Sequence, residues 1–325
     1  MRPATRAVKN RTSTPLRQAL NVKAYVACSL SLNTKKAYDA DLVRFKAWGG
    51  SIPSTPQTLA RYLAEGAATH KPSTLTRQLA AIAHAHNIKG LPSPTSSPLV
   101  RSTLRGIRRT HGCSQKQAQP LTPRMLLRLV KASPSYSTLQ NARDRALLLL
   151  GFAGGFRRSE LSSLRLADVT LTRRGVVLRL RSAKTDQFGK GREVAVPCTR
   201  NAHCPVQALK RWLRLLQPHL DQLRAAPVPT DIPLFASIDR HGHIRPGLSP
   251  ASIGWILMRR MRAAGMKTAG FSAHSLRAGL VTSAAKAGVP IWAIQRQTGH
   301  RSDLTVQRYI RNLGAFECNA ASGLL

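Results

Sequence analysis

Acidic residues are scarce in this sequence. Asp and Glu total 13 against 51 Lys and Arg, leaving a formal net charge of +38 over 325 residues. A folded chain this basic repels itself until a polyanion neutralises it. Nucleic acid is therefore the expected partner, bound with a steep salt dependence. A ribosomal or membrane-surface protein is the plainer alternative for such a charge. The scarcity of acids also counts against a Mg²⁺-dependent nuclease, because a hard divalent cation needs carboxylate ligands.

Long apolar runs are missing too. No stretch of about 18 apolar residues is present, so no membrane span is expected. The basic N-terminus lacks the apolar core of a signal peptide. Cysteines are few: Cys28, Cys113, Cys198, Cys204 and Cys318 are odd in number and scattered. That pattern fits a reducing, cytoplasmic location better than a disulfide framework. Cys198, His203 and Cys204 raise the question of a metal, but a second spaced pair is missing and zinc is not expected. No internal repeat is evident.

What is present is helical periodicity. Apolar residues make up 42% of the chain, enough for two cores at this length. Residues 1–15 read as a loose basic arm. Residues 16–110 read as a helical domain. Tyr38, Leu42 and Phe45 recur at helical spacing. Thr55-Pro56 is an N-cap with proline at N1, and Ser73 is expected to cap a helix carrying Leu75, Leu79 and Ile82, which Gly90 stops. After the turn-rich loop LPSPTSSP, a further helix carries Val100, Leu104 and Ile107 on one face. Arg101, Arg105, Arg108 and Arg109 surround it. Such a face is often merely solvated, but with no acid nearby it favours phosphate contact.

Residues 111–120 are polar and aperiodic, which makes them a candidate linker. A second, α+β domain then spans 121–325. It opens with another cap and N1 proline at Thr122-Pro123, followed by an apolar helix from Leu139 to Phe152 that ends in the glycines of AGGF. GVVLRLRSA and REVAVP alternate as two strands joined by the turn KTDQFGKG. IPLFAS is a further short strand. Amphipathic helices follow at Pro205–Leu216 and, capped by Ser249, through Met261. Three short helices close the pattern at 275–287, 291–297 and 304–311. The fold class is thus mainly α with a small antiparallel β-sheet, in two domains.

The chemistry concentrates between His274 and Tyr309. Phosphodiester cleavage needs a nucleophile, cations on the non-bridging oxygens and an acid for the leaving oxygen. With acids so few, the positive charge must come from side chains, and arginine's planar fork suits phosphate. His274 and Arg277 stand i, i+3 on one helix face. His300 lies in TGH, and Tyr309 follows nine residues later in QRYIR, between Arg308 and Arg311. Taken singly, each has a plain reading: a surface histidine and arginine, a structural histidine, a packing aromatic. Their order and closeness argue for one site.

The order HSLR, then TGH, then QRYIR resembles the tyrosine recombinase, or phage-integrase-like, family. Its pattern is H-x-x-R, then G-H or G-W, then a tyrosine about nine residues on. The same family carries an earlier arginine in G-x-R-x-x-E-L and a lysine in a following β-turn. Here GFRRSEL at 155–161 and RSAKTDQ at 181–187 answer to these. NTKKAYDADLVRFKAW is similar to the family's helical core-binding domain, so the resemblance covers roughly residues 20–312. Two departures, GGF for T-G-L and TGH for L-G-H, remove no reactive group.

The resemblance implies that Arg157 and Arg277 grip the scissile phosphate, with Arg158 a competitor one position off the pattern. Glu160 is implied to orient the site. Lys184 is implied as the general acid, with Lys190 the alternative in the same turn. His274 would assist proton transfer from Tyr309, His300 would hydrogen-bond the phosphate, and Tyr309 would attack to form a 3′-phosphotyrosine. The arginine-rich setting is expected to favour the phenolate. No metal, cofactor or ATP is implied, because the covalent link stores the bond energy. The implied partner is a specific double-stranded DNA site, with a dimer on each site and a tetramer at synapsis, and residues 312–325 as a tail docking on a neighbour. The alternatives are a type IB topoisomerase and a DNA-binding protein that has lost catalysis. The target sequence and the choice between integration, excision and resolution are not legible.

Overall fold

The computed structural model describes residues 29–112, 117–132, 138–181, 191–220 and 232–310. It divides into two compact units, Met1–Gln115 and Lys116–Leu325.

The first unit is helical throughout its described residues: α1 (Leu32–Ala47), α2 (Pro56–Gly66), α3 (Pro72–Ile88) and α4 (Pro98–His111). Ser31, Thr55 and Ser97 each accept the backbone N–H three residues on, which satisfies an orphan donor at the helix start. Ser73 does not cap α3. Pro72, pre-set in φ, already occupies the first turn, and Lys71 stands at the cap position without a side-chain bond. Phe45, Leu59, Tyr62, Leu63, Leu75, Leu79, Ile82, Val100 and Ile107 form the core.

The 13 acids include one close pair, Asp39 and Asp41. Two residues apart on a helix, they diverge. Asp39 is exposed, whereas Asp41 is only 1% exposed and accepts from Arg44 at 2.9 Å and from Arg77 at 2.8 and 3.0 Å.

The second unit opens with α5 (Pro123–Lys131), α6 (Thr138–Ala153) and the short α7 (Arg158–Ser163). The antiparallel sheet follows, with β1 (Val169–Leu171), β2 (Gly175–Leu180) and β3 (Arg192–Pro197) in the order β1-β2-β3. The register pairs Leu178 with Val194 and Val176 with Val196, so alternate residues enter the core. Next come α8 (Pro205–Leu216), the two-residue strands β4 (Ser237–Ile238) and β5 (Ile244–Arg245), and α9 (Pro250–Ala263). The last described elements are α10 (His274–Lys286), α11 (Ile291–Thr298) and α12 (Asp303–Ile310). The strand expected over IPLFAS is displaced. Ile232 and Leu234 instead bond the backbone of Leu166 and Leu164, and only Ser237–Ile238 pairs as a strand, with β5.

Two features fix the helices that carry the candidate site. Gly279 lets α10 meet the backbone before α5: a Cβ there would stand 2.0 Å from the Leu121 carbonyl oxygen. The Leu121 N–H in turn donates to Ser275 at 3.0 Å. Val281, Ile294 and Val306, one from each of α10, α11 and α12, form a small core against which Tyr309 packs.

Candidate active site

Six candidate residues lie on four short elements of the second unit. Arg157 caps the N-terminus of α7. Its backbone N–H donates to Glu160 Oε2 at 2.9 Å and its Nη1 to Glu160 Oε1 at 2.5 Å. The i, i+3 spacing within RRSE at 157–160 makes this clasp, since a carboxylate at the third helical position reaches back to the cap. Glu160 is 2% exposed. Arg158 is exposed.

Arg277 is not on the surface. At 1% exposed it is among the largest fully buried side chains. Its Nη1 donates to the carbonyls of Gly155 and Thr298, both at 2.6 Å. These carbonyls are presented by two glycine turns. Gly155 and Gly299 have φ of +57° and +70°, a region that disfavours side chains. A Cβ on Gly299 would also stand 2.8 Å from Arg192 Nε. The Nη2 of Arg277 is buried without a hydrogen-bond partner. An arginine fork with one arm anchored and the other unspent is poised for an anionic oxygen. Burial first, then the charge of Arg157, pushes its pKa down to about 10.

Tyr309 and His274 meet directly, Oη to Nε2, at 2.6 Å. The Tyr309 ring also lies 5.7 Å, centroid to centroid, from that of His300. Burial, then the Arg277 and Arg157 charges, lower the pKa of His274, so its ring is neutral at pH 7 and can accept a proton. The phenol departs from expectation. Burial raises the Tyr309 pKa and outweighs the lowering by Arg277 and Arg157. The arginines do not by themselves yield a phenolate; the partly enclosed oxygen needs a base, and His274 is in place.

His300 is pushed down to about 3 by burial and then by Arg277, Arg157 and other nearby cations. Its tautomer follows from its neighbour. Thr298 Oγ1 donates its single proton to the Ile294 carbonyl at 2.6 Å, so at the 2.8 Å contact His300 Nδ1 is the donor. That leaves Nε2 with a lone pair.

Two residues of this cluster escaped the sequence reading. Arg192, the first residue of β3, donates to Glu160 Oε2 at 3.3 Å and to the Gln297 carbonyl at 2.9 Å. Gln297 Nε2 donates to the carbonyls of Ala153 and Ala195 at 2.8 and 3.2 Å. Together they brace the TGH turn against β3 and the end of α6. The only sequence signal was a basic residue opening a strand, one among 51.

Lys184, its alternative Lys190 and Arg311 lie outside the described residues. Arg181, the last described residue before Lys184, donates to Asp168 at 2.7 Å and so ties down the end of the chain that leaves β2. In the first unit Arg101, Arg105, Arg108 and Arg109 are all exposed, as is Arg308 in the second; Arg108 also donates to Thr76 at 3.0 Å. Cys198 and Cys204 approach each other, while the His203 ring turns to Arg145 at 3.0 Å. Among the described residues no group of three His, Cys, Asp or Glu could hold a metal ion, and no helix is long and apolar enough to cross a membrane.

The sequence profile of the phage integrase family matches residues 119–314, which include every residue of this cluster. The chain belongs to this family of tyrosine recombinases. It is 34% identical over 314 residues to an integrase/recombinase, a xerD homolog, of Selenomonas ruminantium, covering 94% of this chain and 89% of that protein. A tyrosine recombinase of Synechococcus elongatus is 28% identical over 95% of this chain and 94% of its own length. Among solved structures, XerH bound to difH in a pre-cleavage complex has a TM-score of 0.60 at 21% identity, over 84% of this chain and 74% of that one. A lambda integrase dimer bound to a COC′ core site has a TM-score of 0.57 at 16% identity, over 88% and 74%. These two likenesses speak for the fold. The recombinase is thus a mainly helical DNA strand-exchanging enzyme with small antiparallel sheets.

Proposed function

We propose that this recombinase cleaves and rejoins DNA at a specific site through a covalent bond between Tyr309 and a 3′ phosphate. The observation that carries the assignment is the 2.6 Å contact of the Tyr309 hydroxyl with His274, set beside the unpartnered Nη2 of Arg277. Arg277 and Arg157 hold the non-bridging oxygens. Glu160, clasped by Arg157 and Arg192, orients them. His274 takes the phenolic proton as Tyr309 attacks phosphorus. The P–O bond to the 5′ oxygen breaks, and Lys184 protonates that leaving oxygen. The reverse attack by a 5′ hydroxyl restores the strand. The bond energy stays in the phosphotyrosine, so no ATP is needed. A phosphate anion set against His300 Nε2 would raise its pKa, so that the ring gains a proton there and donates it as a hydrogen bond.

The exposed arginines of α4, with Arg44 and Arg77 held by Asp41, would contact phosphates from the first unit. Arg308 and Arg311 would do so beside the nucleophile. The solved relatives include a lambda integrase dimer on a core site and a tetramer on a Holliday junction. By analogy this chain would pair on its site and form a tetramer at synapsis, with residues 312–325 docking on a neighbour.

The test uses the DNA flanking the gene to define the site, and a nicked suicide duplex built from it. A denaturing gel should show a covalent adduct that Tyr309→Phe abolishes. Wild-type protein that binds this duplex but forms no adduct would leave a DNA-binding protein without catalysis. Relaxation of supercoils without exchange would instead point to a type IB topoisomerase.

A further inference from the structure

A pair of thiols lies apart from the phosphate site, in the loop between β3 and α8. Cys198 immediately follows β3 and is exposed; Cys204 caps α8 and is 1% exposed. Their Sγ atoms are 3.5 Å apart. A disulfide needs about 2.05 Å, so closing the gap takes about 1.5 Å of movement. The intervening residues 199–203 belong to no helix or strand. We propose that Cys198 and Cys204 form a peroxide-oxidisable dithiol site that closes into a reversible intramolecular disulfide joining β3 to α8.

The surroundings divide the roles. Cys204 Sγ accepts the Thr199 N–H at 3.3 Å. Burial raises its pKa, but backbone N–H groups of Thr199 and Gln207 at the start of a 12-residue helix outweigh that and bring it to about 7. Cys198, bonded to Cys204, is pushed up instead. Cys204, the enclosed sulfur, is therefore the more readily deprotonated of the two, and Cys198 is the sulfur that faces solvent.

In the oxidation, Cys198 passes its proton to Cys204 and its sulfur attacks one oxygen of hydrogen peroxide. The O–O bond breaks, and hydroxide leaves and is protonated to water. Cys204, deprotonated again, then attacks the sulfenic sulfur of Cys198. The S–S bond forms, the S–O bond breaks, and the second oxygen leaves as water. Two thiols lose two electrons and two protons, and one peroxide becomes two waters. A dithiol reductant reverses the bond by exchange.

The chain offers a direct readout, because Arg200 lies between the two cysteines. Trypsin cuts after Arg192, Arg200 and Lys210, so the disulfide would link peptide 193–200 to peptide 201–210. The measurement uses the full chain with Cys28, Cys113 and Cys318 changed to Ser. On peroxide treatment it should lose two titratable thiols and about 2 Da, and yield the linked peptide pair, all reversed by dithiothreitol. Cys204→Ser in the same background should stop at an oxidised Cys198 that dimedone captures. Sulfinic acid on Cys198 with Cys204 still free, or disulfides only between chains, would overturn the proposal. The readout needs no DNA, so it stands or fails independently of the assignment of Tyr309.

Discussion

Two arginine clusters, each gathered on a buried carboxylate, differ in what stands beside them. On α6, Asp144 is fully buried and takes Arg143 at 2.7 Å, Arg259 at 2.7 Å and Arg260 at 3.3 Å. Arg260 gives its other two nitrogens to the carbonyls of Ala132 and Asn141, and Arg143 gives Nη1 to Ala236. Every guanidinium nitrogen of these two arginines is engaged. Beyond the C-terminal end of α6, Glu160 holds Arg157 and Arg192 in a similar way, and the unpartnered Nη2 of Arg277 belongs to the same cluster as Tyr309. Among the described residues no tyrosine or histidine is bonded into the first cluster; the second opens on Tyr309 and His274, with Arg277 Nη2 unpartnered there. Buried charge alone therefore does not mark a functional site, whereas an unspent donor beside a nucleophile does.

The largest expected effect tests that opening. Arg277→Lys keeps a charge but loses the fork. It should lower adduct formation about 100- to 1000-fold while largely sparing DNA binding in a filter or mobility assay. An equal loss of binding would make Arg277 an anchor and erase the contrast. Asp144→Ala tests the first cluster. It strands buried arginines and should cost about 3–5 kcal/mol in urea unfolding, with adduct formation per folded molecule unchanged. A variant as stable as the parent would refute the structural reading.

The brace comes next. Arg192→Gln should slow adduct formation about tenfold to a hundredfold through misplacement of Glu160 and the TGH turn, with little change in affinity. An unaltered rate would confine Arg192 to packing. The pH profile sharpens the role of His274. Its folded pKa lies below 6.5, and the proposed proton acceptor is the neutral ring. The rate should fall as pH drops through that pKa and level off above it, and His274→Asn should remove the inflection. The smallest effect belongs to the first unit. Arg101→Ala should weaken binding uniformly across DNA sequences and reduce the salt slope by about 1. A change confined to one base position would make it a base reader.

Much of the site was legible because its residues sit in short, regular spacings. An i, i+3 pair on α10, an i, i+3 clasp in RRSE and a glycine turn before His300 are local facts, and local geometry follows from local sequence. Arg192 and Gln297 were not legible. Their partners are a buried carboxylate and backbone carbonyls, and any residue type supplies a carbonyl. The phenol's pKa was misjudged for a related reason: counting arginines near Tyr309 gives the charge but not the burial that opposes it. Ser73 was misread as a cap because an N1 proline next to it starts the helix two residues earlier.

The sequence by itself determined the polyanion-seeking charge, the helical periods, the glycine positions and the order of reactive residues. These depend on residue type and on neighbours a few positions away. Only the tertiary structure decided that Arg277 is buried with a donor to spare, that His274 touches Tyr309, and that Arg192 ties β3 to the TGH turn. Those depend on which distant segments share a small volume. Within it, removal from water sets both the pKa values and the worth of each unpaired donor.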